Sequence, residues 1–348
     1  MVNELVVQVN IPTFQVNIPK PVIIYDKRRV ITAGARRSSF WVVASNLAYF
    51  LKKYHDMEFS VTDSYDIATS IAITDLWWTV KRRHLSFPPP RVVHWVDTAW
   101  KEYRVPTPPI NFETLFITTS PWNQKLLKQE GIDSYLLPRA IHDEYAEKYF
   151  NKSNERKYDF AVVGTTSDPK YHDKKHVVTA YKVLKDMGKY EKSIFICMFD
   201  FCHHKSFDLT NEQVFEILSQ SKWFIWLTTA EGFGMPPVEA MSVGTPVIYN
   251  DSEYVRFPVI HELNIPVEPL TYYDKADPFM LQNRNEVAIF PYCDYNLQEV
   301  KAKFKEALKT EITEEDRIKL HEHVMQNFSH KVILPKLIDI TKDYRGYL

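Results

Sequence analysis

Residues 229–251 read TAEGFGMPPVEAMSVGTPVIYND and hold two carboxylates, Glu231 and Glu239, with a Gly-Phe-Gly turn and a Pro-Pro pair between them. Trp223 to Thr228 (WFIWLT) upstream and Thr245 to Tyr249 (TPVIY) downstream are apolar runs of strand length and composition. The pattern predicts strand, turn, short helix, strand. In such a unit the turn lies at the carboxyl end of the first strand, where open α/β sheets place their ligands. Gly232 and Gly234 carry no Cβ, so the backbone there can bend and come close to a ligand. Pro236 and Pro237 lack amide hydrogens, which costs least in the first helical turn, so they mark the helix start. The free amides around Gly234, Met235 and Val238 then face a phosphate or sugar oxygen.

The rest of the chain frames this unit. Its 348 residues suffice for two domains, and 45% hydrophobic with 25% charged residues is the make-up of a globular protein. A net charge of -1 gives no reason to expect nucleic acid. The charge is unevenly spread: residues 1–137 hold 16 Lys and Arg against 12 Asp and Glu, the remainder 27 against 32. Three scattered cysteines, Cys197, Cys202 and Cys293, do not make a disulfide framework, so a reducing, cytoplasmic setting is expected. The first residues do not read as a signal peptide and no run reaches the length of a membrane span, so any membrane contact is expected to be peripheral.

Residues 231–248 closely resemble the EX7E signature of the retaining glycosyltransferases with the GT-B fold, the large group called family GT4. The resemblance covers most of the second half strongly and the first half in outline. It implies an α/β protein of two Rossmann-like domains facing a central cleft. We expect an acceptor-side domain over 1–140, a nucleotide-sugar domain over 141–330, and a helix over 331–348 crossing back to the first domain. On this reading Glu239 accepts hydrogen bonds from the donor ribose. Glu231 meets the transferred sugar, and Gly232, Phe233, Gly234, Met235, Pro237 and Val238 shape the donor site around it.

The family also holds its donor diphosphate with an Arg just after the first strand of the second domain and a Lys several residues later. Here Tyr158 to Gly164 (YDFAVVG) is that strand, Thr165 stands where the Arg is expected, and Lys174 and Lys175 stand near the Lys position. Lys175 is the expected cation, with Lys170 and Lys174 as alternatives, because a leaving diphosphate gains charge in the transition state. Arg139, at the family's interdomain hinge, either reaches the diphosphate from the cleft edge or lies on the surface.

In the first half, Pro21 to Tyr25 (PVIIY) reads as the first core strand and Phe40 to Tyr54 as a helix. The loop between them carries Gly34, Arg36 and Arg37, acceptor-side candidates or a solvated pair. Arg91 to Val96 (RVVHWV) is another strand, with His94 and Asp97 at its carboxyl end. Family members commonly have adjacent His and Asp there; His94 is the substitute considered for the histidine. The duplicated QVNIP near the start reads as a hairpin or edge, and Lys81-Arg82-Arg83 as a helix C-terminus. The Cys202-His203-His204 run lacks a second ligand pair for zinc and reads as a loop of satisfied side chains. Tyr- and Pro-rich residues from Ser252 to about Glu286 read as an insertion serving a function or a partner.

The resemblance therefore implies retaining transfer from a nucleotide-diphosphate sugar, which is the donor substrate and not a cofactor, without metal. The acceptor is left open among lipid, glycan and protein. A sugar phosphorylase of the same fold, or a non-catalytic binder of nucleotide sugar or glycan, are the competing readings.

Overall fold

A computed structural model describes residues 29–33, 39–62, 69–74, 91–96, 102–104, 113–129, 131–152, 155–164, 173–206, 208–259, 261–276 and 287–341. The elements of the first half are β1 (Arg29–Ala33), α1 (Ser39–His55), β2 (Phe59–Thr62), β3 (Thr69–Thr74), β4 (Arg91–Val96), β5 (Glu102–Arg104), β6 (Glu113–Thr118), α2 (Pro121–Gln129), β7 (Tyr135–Leu136) and α3 (Asp143–Lys152). Those of the second half are β8 (Tyr158–Gly164), α4 (Val177–Asp186), β9 (Ser193–Cys197), β10 (His204–Lys205), α5 (Asn211–Ser219), β11 (Ser221–Trp226), α6 (Met235–Ser242), β12 (Val247–Asn250), β13 (Ile265–Val267), β14 (Thr271–Ala276), β15 (Val287–Asp294), α7 (Leu297–Lys309), α8 (Glu314–Phe328) and α9 (His330–Thr341).

Two parallel six-stranded sheets result, in the orders β2-β1-β3-β4-β6-β7 and β10-β9-β8-β11-β12-β13. Each reverses direction once, between β1 and β3 and between β8 and β11, which is the switch-point geometry of doubly wound folds. Strands buried on both faces need to be apolar throughout. β9 (SIFIC) is buried at every position, and β11 (SKWFIW) at all but Lys222.

Helices cover both faces of the second sheet. Phe224, Trp226, Val238 and Met241 pack on one side with Leu320 and Val324 of α8. Phe160, Phe195 and Trp223 pack on the other with Val183 of α4 and Phe304 of α7. Ile333, Leu334 and Leu337 of α9 join Leu47, Phe50 and Leu51 of α1 in the core of the first sheet. Asp143 fixes that crossing, taking the His330 backbone amide at 2.7 Å and the Tyr54 hydroxyl at 3.3 Å.

Several expectations are corrected. The first described strand is Arg29–Ala33, inside the stretch read as a loop, and α3 follows directly after the hinge, where no element was expected. The segment read as an insertion supplies the edge strand β13 and then β14. β14 pairs antiparallel with β15, and β15 pairs with β5 from the first half. Pro21 to Tyr25, the QVNIP repeat, Lys81-Arg82-Arg83, Gly34, Arg36, Arg37, Asp97, Thr165 and Lys170 lie outside the described residues.

Cys197 and Cys202 form a disulfide, with Cα atoms 5.6 Å apart, which overturns the expectation of reduced cysteines. Of the Cys202-His203-His204 run read as a loop, Cys202 is in the disulfide and His204 opens strand β10. His203 Nδ1 accepts the Phe195 amide at 3.1 Å, and the described residues contain no group of three or more His, Cys, Asp or Glu able to hold a metal ion. Among the described residues no helix is long and apolar enough to cross a membrane.

Candidate functional site

The site forms where β8 and β11 end side by side at the switch point of the second sheet. Gly164 closes β8, and a Cβ there would fall 2.4 Å from Val177 and 3.1 Å from the Lys175 Cβ. Only glycine lets the start of α4 lie this close to the strand end. Asp173 caps that helix, accepting the amides of Val177 and Val178 at 2.8 Å each. Burial pushes its carboxyl up to about 6, against the pull of those amide bonds.

The turn that carries the lysines is tied to the segment after β11. The Thr229 amide donates to the Lys174 carbonyl at 2.8 Å, and the Thr228 hydroxyl lies 3.2 Å from the same oxygen. Asn250 at the end of β12 holds the Thr228 carbonyl at 2.9 Å. This stitching brings Lys175 Nζ onto Glu231 Oε1 in an ion pair whose two side chains are 17% and 15% exposed. The Thr228 hydroxyl also lies 3.1 Å from Glu231 Oε1. A cation and a carboxylate thus sit together, largely out of water, at the mouth of the switch-point crevice. Low exposure strengthens both toward a charged ligand.

Glu239 lies in α6, 5% exposed, with Oε1 accepting from the Asn211 side chain at 3.1 Å. Burial pushes its carboxyl up to about 7, with the Asn211 bond pulling the other way.

The glycines between the two glutamates are used by the protein itself. Gly234 has φ 90°, and a Cβ on it would fall 2.3 Å from the Trp226 ring, so glycine here permits packing on the indole. The Gly232 carbonyl accepts from the Thr119 hydroxyl and the Asn123 amide, both at 3.0 Å. Thr119 and Asn123 are fully buried and come from the first half, so the turn is gripped across the two halves. Trp122 beside them meets Tyr254 edge to face at 4.5 Å. Phe233 packs its ring against Phe328 at 5.5 Å, while Pro237 and Val238 are buried and Met235 is partly buried against the same core.

Arg139 is corrected on both expectations. It is fully buried, its guanidinium 4.8 Å from the Trp95 ring centre and bonded to the Trp95 carbonyl at 3.0 Å, and so faces neither the cleft edge nor solvent. His94 lies in the middle of the first sheet, in register with Ala72 on one side and Phe116 on the other. Thr228, Asn250, Thr119, Asn123 and Asp173 went unread in the sequence. Asp173 is a local helix cap, whereas Thr228, Asn250, Thr119 and Asn123 each bond a carbonyl far away in the chain, and the polar positions in TTSPWN were the faint signal of Thr119 and Asn123.

Comparison with known proteins agrees with this geometry. The family described as "Glycosyl transferases group 1" matches residues 203–264, from β10 to the loop after β12. A protein of Acidianus filamentous virus 2 (isolate Italy/Pozzuoli), named for a glycosyltransferase as ORF378, is 34% identical over 96% of this chain and 99% of its own length. Among solved structures, a glycosyltransferase from Rickettsia africae ESF-5 aligns with TM-score 0.55 at 12% identity, over 92% of this chain and 99% of that one. A point mutant of S. aureus TarM, solved with Fondaparinux, alpha-GlcNAc-glycerol and UDP, aligns with TM-score 0.51 at 13% identity, over 86% of this chain and 58% of TarM. At these identities the solved structures speak for the fold, and the fold is GT-B. With a relative matched along almost its whole length and a group 1 segment that includes the Glu231 turn, the chain belongs to the glycosyltransferases of group 1.

Proposed function

We propose that the protein is a retaining glycosyltransferase that moves a sugar from a nucleotide-diphosphate sugar to an acceptor without a metal ion. The observation that carries this reading is the pairing of Lys175 with Glu231 at the switch point of the second sheet. A departing diphosphate needs positive charge, and the Lys175 ammonium supplies it from a position with little water. Glu231 meets the sugar being transferred and stabilises the positive charge that develops on its ring. Glu239 accepts hydrogen bonds from the ribose hydroxyls of the nucleotide, with Asn211 orienting its carboxyl. Before donor binding, Lys175 and Glu231 satisfy each other; on binding, each exchanges its partner for the substrate.

The amides of Phe233, Gly234 and Met235 are assigned to the sugar, and Arg36, Arg37 and Asp97 to the acceptor side. UDP, which TarM binds in its solved structure, heads the panel of donors. The protein is titrated calorimetrically with UDP, GDP, ADP and their sugars, with EDTA present and absent, beside a Glu239→Ala variant. Binding of one nucleotide sugar that survives EDTA and is lost in the variant supports the reading. Failure of every donor to bind folded protein sinks it.

A further inference from the structure

A cavity of about 410 Å³ opens at the opposite end of β11 from Glu231, between the start of that strand and the α7–α8 connection. Two guanidinium groups line it, Arg156 and Arg317. Arg156 donates to the carbonyls of Ser221 at 2.6 Å and Gly244 at 3.0 Å and to the Thr245 hydroxyl at 2.5 Å. None of these is a carboxylate, so its charge is not neutralised by them. Burial first, and then the charge of Arg317, pull its pKa down to about 9, with Glu314 on the same cavity wall pulling the other way.

Arg317 is more unusual. It is 8% exposed, and its Nη1 bonds Glu314 at 2.6 Å, at the solvent side where Glu314 is 64% exposed. Its Nε and Nη2 are buried without a hydrogen-bond partner. Those two atoms form one edge of the guanidinium, the fork that grips a carboxylate or phosphate with two parallel bonds. The edge lies over Gly244, where the Cβ of any other residue would fall 3.1 Å from Nε. The same Gly244 carries the carbonyl that Arg156 holds, so both arginines pack on one glycine, and Arg317 itself fills the place of the missing side chain, since an added Cβ would fall 2.9 Å from its Cβ. Leaving two buried donors unmade is costly, and a pair of like charges at reduced dielectric adds to the cost.

We propose that this cavity binds a phosphate group, gripped by the free edge of Arg317 and by Arg156. The volume far exceeds one phosphate, and Trp223, Leu308 and Ile312 on its wall can cover the body of a small phosphate ester. The site is separate from the donor crevice and does not depend on the proposed reaction.

The test is thermal unfolding of the full chain titrated with sodium phosphate, with glycerol phosphate, and with sodium chloride at matched ionic strength. The wild type is expected to show a saturable rise in Tm with phosphate, about 3 °C at one hundred times half-saturation. Arg317→Gln abolishes it, Arg317→Lys raises the half-saturating concentration at least about tenfold because the fork is lost, and Glu239→Ala leaves it unchanged. Tighter binding of glycerol phosphate assigns the site to a phosphate ester, and equal binding to free phosphate. No rise, the same rise in chloride, or the same rise in Arg317→Gln overturns the proposal. Should the Arg317 variants not fold, hydrogen exchange of the wild type decides. Phosphate-dependent protection around residues 156, 244 and 310–317 supports the site, and protection confined to 229–239 overturns it.

Discussion

Lys175 pairs with Glu231 because the carbonyl of its neighbour, Lys174, is bonded by the residues just before the glutamate, Thr228 and Thr229. The pair is thus set by backbone stitching between two strand ends and not by chance approach of long side chains. Lys175→Ala and Glu231→Gln are each expected to lower kcat by about 10²–10³, the usual loss for one preorganised charge at a reacting centre. A purified transfer or donor-hydrolysis assay checks this. Activity within twofold of wild type for Glu231→Gln would remove that residue from the mechanism.

Glu239 makes stability depend on pH. Its native pKa of about 7 lies above the ordinary 4.5 of a solvated glutamate, so between those values the folded chain holds a proton that the unfolded chain has lost. The folded form therefore loses stability as pH rises through this window, on the order of 3 kcal/mol in full. Urea unfolding at pH 5 and pH 8 should show Glu239→Gln overtaking the wild type at the higher pH. In the same window, affinity for the donor nucleotide should rise with pH in the wild type, as the carboxylate forms, and stay flat in Glu239→Gln.

Gly234→Ala forces a Cβ into the Trp226 ring at a positive φ. The expected loss is about 2–4 kcal/mol, combining left-handed backbone strain with overpacking. Gly131→Ala makes the control, since its φ is 74° but nothing lies within 4 Å of the added atom. Strain alone should cost it about 1 kcal/mol. Denaturant midpoints of the two variants measure the difference.

Thr119→Val and Asn123→Ala each remove a donor from the Gly232 carbonyl. Because the two share one acceptor and bond each other at 2.8 Å, their effects on unfolding free energy should be non-additive, with a coupling of about 1 kcal/mol. A double-mutant cycle reads this, and strict additivity would show that the grip on the turn is not shared.

Reduction should open the Cys197–Cys202 loop, which spans a sequence separation of 5. So short a loop constrains the unfolded chain by only about 2 kcal/mol. The Tm with and without reductant, beside a Cys197→Ala/Cys202→Ala variant, measures it. Thiol labelling of the oxidised chain should find Cys293 alone, and only after unfolding, because that side chain is buried.

The sequence by itself determined the elements whose causes are local. The apolar run before Glu231, the Gly-Phe-Gly turn and the prolines at the start of α6 specify strand, turn and helix within a few residues of chain. α5 and α8 likewise have local causes, since each opens on a threonine, Thr210 and Thr313, whose hydroxyl accepts an amide of the first turn. The resemblance of residues 231–248 to the signature of a known glycosyltransferase family pointed to the GT-B fold. What the tertiary structure alone decided are the pairings between distant residues. It placed Lys175 on Glu231, buried Arg139 against Trp95 and joined β5 to β15. The reason is physical: periodicity and capping act over one or two turns of chain. Which polar groups share a buried site depends on how the sheets stack, and single residues such as Thr228 and Asn123 leave almost no pattern along the sequence.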